Sequence, residues 1–238
     1  MILVLRGHIR NCFDDERFYN LVKMLHANFN LTIYIHTWHI IQSSLSYRKI
    51  NEVPLAVTIE MIENYFKDLR SIIRHIMIDN DTEIELIGKT EGAFQKKYKP
   101  VPNRAWKNYW YGKYRIISYL NNCLQERDEL IINMRFDILD NTWASLSETR
   151  IYLLIINNRF RVFEQNIFTW PDGYGADNLY VGNIATQYKL AKHFFINMDH
   201  IVKYGRNDTE YHELHVPNED YRIFSGAYKE SEKADDLL

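Results

Sequence analysis

Charged residues that close apolar runs are the groups in this sequence best suited to chemistry. In ELIINMRFDILDN (129–141) the run Leu130, Ile131, Ile132 and Met134 delivers Arg135 and Asp137, with Asp140 just beyond. A charge is costly to bury unless it is paired or binds something, so this strand end is expected to face a cleft. An acid there can hold a divalent cation that neutralises a diphosphate, or can form a plain ion pair with Arg135. LRGHIRN (5–11) has the same form: a strand runs into Gly7 with Arg6, His8 and Arg10 around it. Gly7 would let backbone approach a ligand while the guanidiniums meet a phosphate; the alternative is a turn with solvated arginines. In IYIHTWHI (33–40), His36 and Trp38 alternate with apolar neighbours at a strand end, as ligand contacts or as core residues.

Two further stretches carry polar chemistry. WPDGYGADNLYVGN (170–183) makes a turn from Trp170, Pro171, Gly173 and Gly175 and presents Asp172, Asp177 and Asn178 ahead of a helix. A stackable aromatic with two carboxylates suits sugar hydroxyls. GYGAD is no dinucleotide fingerprint, because the third glycine and the preceding apolar strand are absent. NRAWKNYWYGKYR (103–115) interleaves Arg104, Lys107, Lys113 and Arg115 with Trp106, Tyr109, Trp110, Tyr111 and Tyr114. That pattern suits a single-stranded nucleic acid, a glycan stacking on aromatics, or an amphipathic helix packing its rings inward, and no RNP-like strand supports the first. The P-loop, the nucleophile elbow and the HExxH zinc signature are all missing.

Elements that would position these residues follow from periodicity. Short β-rich runs, ILVL (2–5), LTIYIHTW (31–38), IMI (76–78), IELIG (84–88), LIINMRF (130–136), IYLLII (151–156) and RVF (161–163), alternate with stretches of helical spacing. The first helix is signalled by Asp14 and Asp15 ahead of Phe18, Leu21, Val22 and Leu25; others fit Val57 to Leu69, with Thr58 as N-cap, Tyr109 to Leu124, and Ala185 to Val202. Strands wound with helices predict an α/β fold with a mostly parallel, Rossmann-type central sheet flanked by helices. Ligands of such sheets bind outside the carboxyl ends of the strands, where the charged residues above fall. KTEGAFQKKYKPVPNRA (89–105) lacks an apolar period and reads as a loop or lid.

The chain has 238 residues, 46% of them hydrophobic and 25% charged, which allows a sizeable core and places it with ordinary globular proteins. A net charge of -2 gives no global attraction to nucleic acid or anionic membrane, so any basic site must be local. Cys12 and Cys123 are too few for a disulfide framework, in keeping with a reducing cytoplasm. The opening MILVLRGHIRN is too short and too charged for a signal peptide or spanning helix, and KESEKADDLL (229–238) reads as a polar, disordered tail after a single domain over 1–228.

In order, LRGHIRN, YIHTW, INMRFD and GYGADNLYVGN resemble a group of bacterial and viral glycosyltransferases of the GT-A type, over residues 1 to about 200. The resemblance implies sugar transfer from a nucleotide donor to an oligosaccharide or glycolipid acceptor, in capsule, O-antigen, lipopolysaccharide or other surface-glycan synthesis. It implies a cytoplasmic protein that could sit at the inner face of a membrane. Asp137 falls where such enzymes place the metal-binding acid of their DxD motif, with Arg135 beside the diphosphate. Arg6, Gly7, His8, Arg10, His36 and Trp38 fall on the donor side. Trp110, Tyr111, Trp170, Asp172 and Asn178 fall on the acceptor side, and Asp177 is the candidate base if the enzyme inverts; a retaining enzyme would not use it so.

The resemblance also implies manganese or magnesium on Asp137, helped by Asp140 or by His212 or His215 of YHELH. The first acid of DxD is Arg135 here, so metal-independent operation, with arginine or lysine doing the metal's work on the leaving diphosphate, is the other expectation. A UDP-sugar is the expected donor only because it is the commonest in such enzymes. The rivals are a non-catalytic glycan- or nucleotide-binding module with a degenerate transferase fold, and a nucleic-acid-binding protein using 103–115.

Overall fold

The computed structural model describes residues 1–43, 45, 55–94, 101–124, 129–140, 147–158, 167–169 and 179–205. In chain order the elements are β1 (Ile2–Arg6), α1 (Arg17–Phe29), β2 (Thr32–Trp38), α2 (Ile59–Phe66) running into a 3-10 turn (Lys67–Ile72), and β3 (Ile73–Asp79). A two-stranded antiparallel ladder of β4 (Ala93–Phe94) and β5 (Val101–Pro102) precedes the long α3 (Asn103–Cys123). Then come β6 (Leu130–Arg135), a 3-10 turn (Phe136–Asp140), α4 (Glu148–Asn158), β7 (Ile167–Thr169), β8 (Leu179–Asn183) and α5 (Ile184–Gly205).

The main sheet has the order β3-β2-β1-β6-β8-β7. Its first four strands are parallel, while β8 and β7 run antiparallel to their neighbours. The α/β arrangement is Rossmann-like. Alternation along β1 explains why both faces need cover: Leu3 and Leu5 pack with Phe18, Leu21 and Leu25 of α1, Phe66 of α2 and Ile151 and Ile155 of α4. Ile2 and Val4 face the other way, with Ile116, Ile117 and Leu120 of α3 and Ile184 of α5. Strands buried on both faces read as unbroken apolar runs, as ILVL does.

After β1 the chain steps outward to β2 and β3, and the next strand of the main sheet, β6, lies on the opposite side of β1. That reversal makes a topological switch point between the carboxyl ends of β1 and β6, where open α/β sheets form a crevice. Register aligns the polar strand ends, since Arg6 lies opposite both His36 and Arg135, and Trp38 opposite Asp79.

Two expected strands are absent. IYLLII lies within α4, where Ile151 and Ile155 are buried at helical spacing and the Ser147 hydroxyl accepts from Arg150 N–H at 3.2 Å as an N-terminal cap. IELIG belongs to the turns after β3, begun by Asn80, whose side chain accepts from the N–H and hydroxyl of Thr82 at 3.0 and 2.8 Å. Thr58 caps α2 as expected, accepting from Met61 N–H at 3.1 Å. The run RVF and the tail lie outside the described residues.

Candidate anion site at the switch point

The turn after β1 is fixed by backbone. Gly7 has φ 91°, which only glycine adopts readily, and an added Cβ there would meet nothing within 4 Å, so the turn stays open on that side. Gly7 N–H donates to the His36 carbonyl at 3.2 Å, and the Thr37 hydroxyl donates to the Gly7 carbonyl at 2.9 Å. Arg10 N–H donates to the Ile41 carbonyl at 2.7 Å, with Arg10 itself in the left-handed region at φ 53°. A non-glycine residue there costs about 1–2 kcal/mol, and such strain concentrates at functional sites.

Across the switch point, Asp137 is buried and gripped by two guanidiniums. Arg135 donates from Nε and a terminal nitrogen to the two carboxylate oxygens, each at 2.7 Å, and Arg10 Nε lies 3.2 Å from Oδ2. Arg6, 2% exposed, donates from Nε to Asn133 Oδ1 at 2.6 Å, and Asn133 donates to Gln187 Oε1 at 3.0 Å. The Tyr109 ring gathers further positive charge: Lys113 Nζ lies 4.4 Å from its centroid, the Arg6 guanidinium 5.0 Å and that of Arg135 5.9 Å. Arg10 and Arg135 thus bracket the Asp137 carboxylate, while Arg6, Arg135 and Lys113 gather at the Tyr109 ring.

The ends of β2 and β3 form the neighbouring wall. Trp38 stacks on His8 at 5.7 Å and on Tyr111 at 5.9 Å, and meets His36 edge-on at 5.0 Å. His36 is fully buried; Nε2 donates to Asp79 Oδ2 at 3.2 Å, and the same oxygen accepts from the Tyr111 hydroxyl at 3.0 Å. Burial lowers the His36 pKa against the opposing pull of Asp79, which favours the neutral ring. The hydrogen bond from His36 holds Asp79 below the ordinary carboxylate range, and burial pushes Tyr111 up to about 12. Asp81, fully buried, has His8 Nε2 at 3.6 Å and His39 Nδ1 at 3.8 Å, both beyond hydrogen-bond length. Burial likewise lowers the His8 pKa, and the charges of Arg10 and Arg135 reinforce this.

Of the residues picked out by sequence, Arg6, Gly7, His8, Arg10, His36, Trp38, Arg135 and Asp137 come together at these strand ends. Two departures concern the aromatic patch and the metal. Trp110 is fully buried and stacks on Phe194 of α5 at 4.1 Å, which makes it a core residue between helices with no face for an acceptor. Tyr111 is half-buried and spends its hydroxyl on Asp79. Asp137, with both oxygens on guanidiniums, does not fit a metal ligand, and Asp140 turns toward Arg17, 3.7 Å away. Among the described residues no group of three or more His, Cys, Asp or Glu is arranged to hold a metal ion. Trp170, Asp172, Asp177, Asn178, His212 and His215 lie outside the described residues.

Asp79, Asp81, Asn133 and Gln187 of this region were not singled out in the sequence, and Tyr109 and Lys113 were marked only as part of the 103–115 patch. The signal for the first two was present: IMIDND (76–81) is also an apolar run closing in charge, and it holds the acid-x-acid spacing that RFD lacks. In the fold Asp79 closes β3 and faces His36, while Asp81, in the turn that follows, faces His8 and His39. Comparison with protein-family models, curated proteins and solved structures finds no match for this chain. Among the described residues no helix is long and apolar enough to cross a membrane.

Proposed function

We propose that this protein is a GT-A-like glycosyltransferase that moves a sugar from a nucleoside-diphosphate donor to a carbohydrate acceptor in surface-glycan synthesis. The observation that carries the reading is the meeting of Arg6, Arg10 and Arg135 at the β1–β6 switch point, beside a wall of Trp38 and His8. When the bond from anomeric carbon to diphosphate breaks, negative charge grows on the phosphate oxygens. Preplaced guanidiniums in a partly buried crevice stabilise that charge more than the ground state. A neutral, half-exposed aromatic patch would not favour a diphosphate in this way.

The test is the thermal midpoint of the whole chain with UDP, GDP, CMP and ATP, each with and without manganese. A ligand that binds only the folded state at 100 times its Kd adds about 2.7 kcal/mol. For a chain of this size that is a rise of about 5–10 °C. A rise with one nucleoside diphosphate that disappears in Arg6→Gln supports the reading; no shift with any nucleotide removes its main support. A rise without sugar transfer to any acceptor would favour the binding-module alternative.

A further inference from the structure

Between β3 and β4 the chain makes an excursion, residues 80–92, that polar ties hold in place with little help from a core. Most of its side chains are exposed; Ile84 and Leu86 are half-buried and belong to neither core cluster, and Ile87 is exposed. Its backbone carbonyls instead take donors from the first turns of α3. Asp81 accepts from the Asn108 side chain at 2.9 Å, Thr82 from Arg104 at 3.1 Å, and Ile87 from Lys107. Glu91 accepts from the Asn103 side chain at 2.6 Å and Gly92 from Asn103 N–H at 3.0 Å. Asp199 of α5 closes the set: one carboxylate oxygen lies 2.6 Å from buried Lys107 Nζ, and the other accepts from Lys89 N–H at 2.7 Å. Gly88 makes that closure possible. Its φ is 74°, and an added Cβ would collide with Asp199 Oδ2 and lie 3.1 Å from Lys107 Nζ.

We infer that residues 80–92 form a strap that opens and closes as one unit, latched to α5 by Asp199 through Lys107 and Lys89. Segments that open well below the free energy of global unfolding have little buried apolar area and exposed hydrogen bonds, and the strap has both features. Opening also has something to gain. At the root of the strap Asp81 is fully buried, with neither carboxylate oxygen hydrogen-bonded among the described residues; His8 Nε2 and His39 Nδ1 stop at 3.6 and 3.8 Å, and Asn108 Oδ1 is likewise without a partner. Water that reaches these atoms in the open form offsets part of the ties that are lost. Opening draws Asp81 away from the histidines that follow β1 and β2, so the strap acts as a lid beside those strand ends. The inference is independent of what the crevice binds.

Native-state amide hydrogen exchange of the full chain, followed residue by residue at several sub-denaturing urea concentrations, tests this. The reporters are Thr82, Glu83 and Ile84, whose N–H groups donate to Asn80, together with Lys89. The expected result is that these amides share one opening that urea barely promotes, while amides of β1 and β6 exchange only through the steep, global one. Gly88→Ala, which jams the latch, should speed exchange at all the reporters in parallel by about tenfold or more and leave β1 and β6 within about twofold. Reporters that exchange only together with β1, with the same urea dependence, overturn the inference on wild type alone, whether or not the variant folds. Faster exchange in Gly88→Ala at Lys89 only overturns the single unit. Exchange unchanged at every reporter overturns the latch. Faster exchange in β1 and β6 to the same degree also overturns it, because the contact at Gly88 then belongs to the core.

Discussion

Replacing Gly112 by alanine should destabilise the protein, although the same change in an exposed helix would stabilise it. Gly112 sits inside α3 where that helix crosses the end of β2. A Cβ built there would lie 3.0 Å from His36 Nδ1, 3.1 Å from Cε1 and 3.7 Å from Trp38 Cζ2. Helix propensity favours alanine over glycine by about 1 kcal/mol. Against it stands overpacking, about 1–3 kcal/mol in a well-packed core. His36 has little room to yield, since it is fully buried, bonded to Asp79 at 3.2 Å and edged by the rings of Trp38 and Tyr111 at 5.0 and 6.0 Å. The steric cost therefore falls in the upper part of its range, and the net loss is about 1–2 kcal/mol. In a thermal melt this is a drop of about 2–8 °C. In a His36→Ala background the clash is gone, and Gly112→Ala should become neutral or stabilising, a coupling that a double-mutant cycle reads directly. A midpoint unchanged or raised by Gly112→Ala alone would refute the argument that α3 and β2 close on a rigid His36.

Acid should weaken the fold in a definite direction. Burial keeps the folded pKa of His36 and His8 below the ordinary 6.5, so the unfolded chain takes up protons that the folded chain refuses. Stability from these rings is complete above about pH 6.5 and falls as pH drops through the depressed folded values; Asp79, also depressed, adds a second loss below its ordinary 3.8. Urea midpoints at pH 7.5 and 5.5 check the sign, and a midpoint that rises on acidification contradicts it. Asp199→Ala should cost about 1–3 kcal/mol, because buried Lys107 loses the carboxylate at 2.6 Å while Asp199 itself is half-exposed. Asp199→Asn should recover part of that through the bond from Lys89 N–H; a thermal melt showing no loss for the alanine variant would count against the pair as a tie between α3 and α5.

Much of the fold was legible because β1, β2 and β6 are buried on both faces, which writes them as apolar runs ending in charge. The α1 stripe of Phe18, Leu21, Val22 and Leu25 was equally plain. IYLLII was ambiguous because six apolar residues in a row fit either period, and the deciding signal was Ser147 ahead of Glu148 rather than the run itself. The short β7 and β8 strands have no clear period of their own; pairing with β6 sustains β8, and pairing with β8 sustains β7. At the site, residues closing a strand could be read, since Arg6, His36 and Arg135 share one register. Lys113, Tyr109 and Gln187 could not, because helix packing brings them there and nothing local marks a lysine 1% exposed beneath an aromatic ring. Trp110 misled for the same reason: a basic, aromatic stretch looks like a surface until α5 supplies Phe194 to cover it.

The central claim is that the crevice between β1 and β6 receives a nucleoside diphosphate, and amide hydrogen exchange with and without saturating UDP tests it most directly. Slowed exchange concentrated in residues 6–10 and 133–140 is predicted, where Arg10 and Arg135 meet at Asp137. Exchange unchanged in both segments, or protection confined to 103–115, would contradict it.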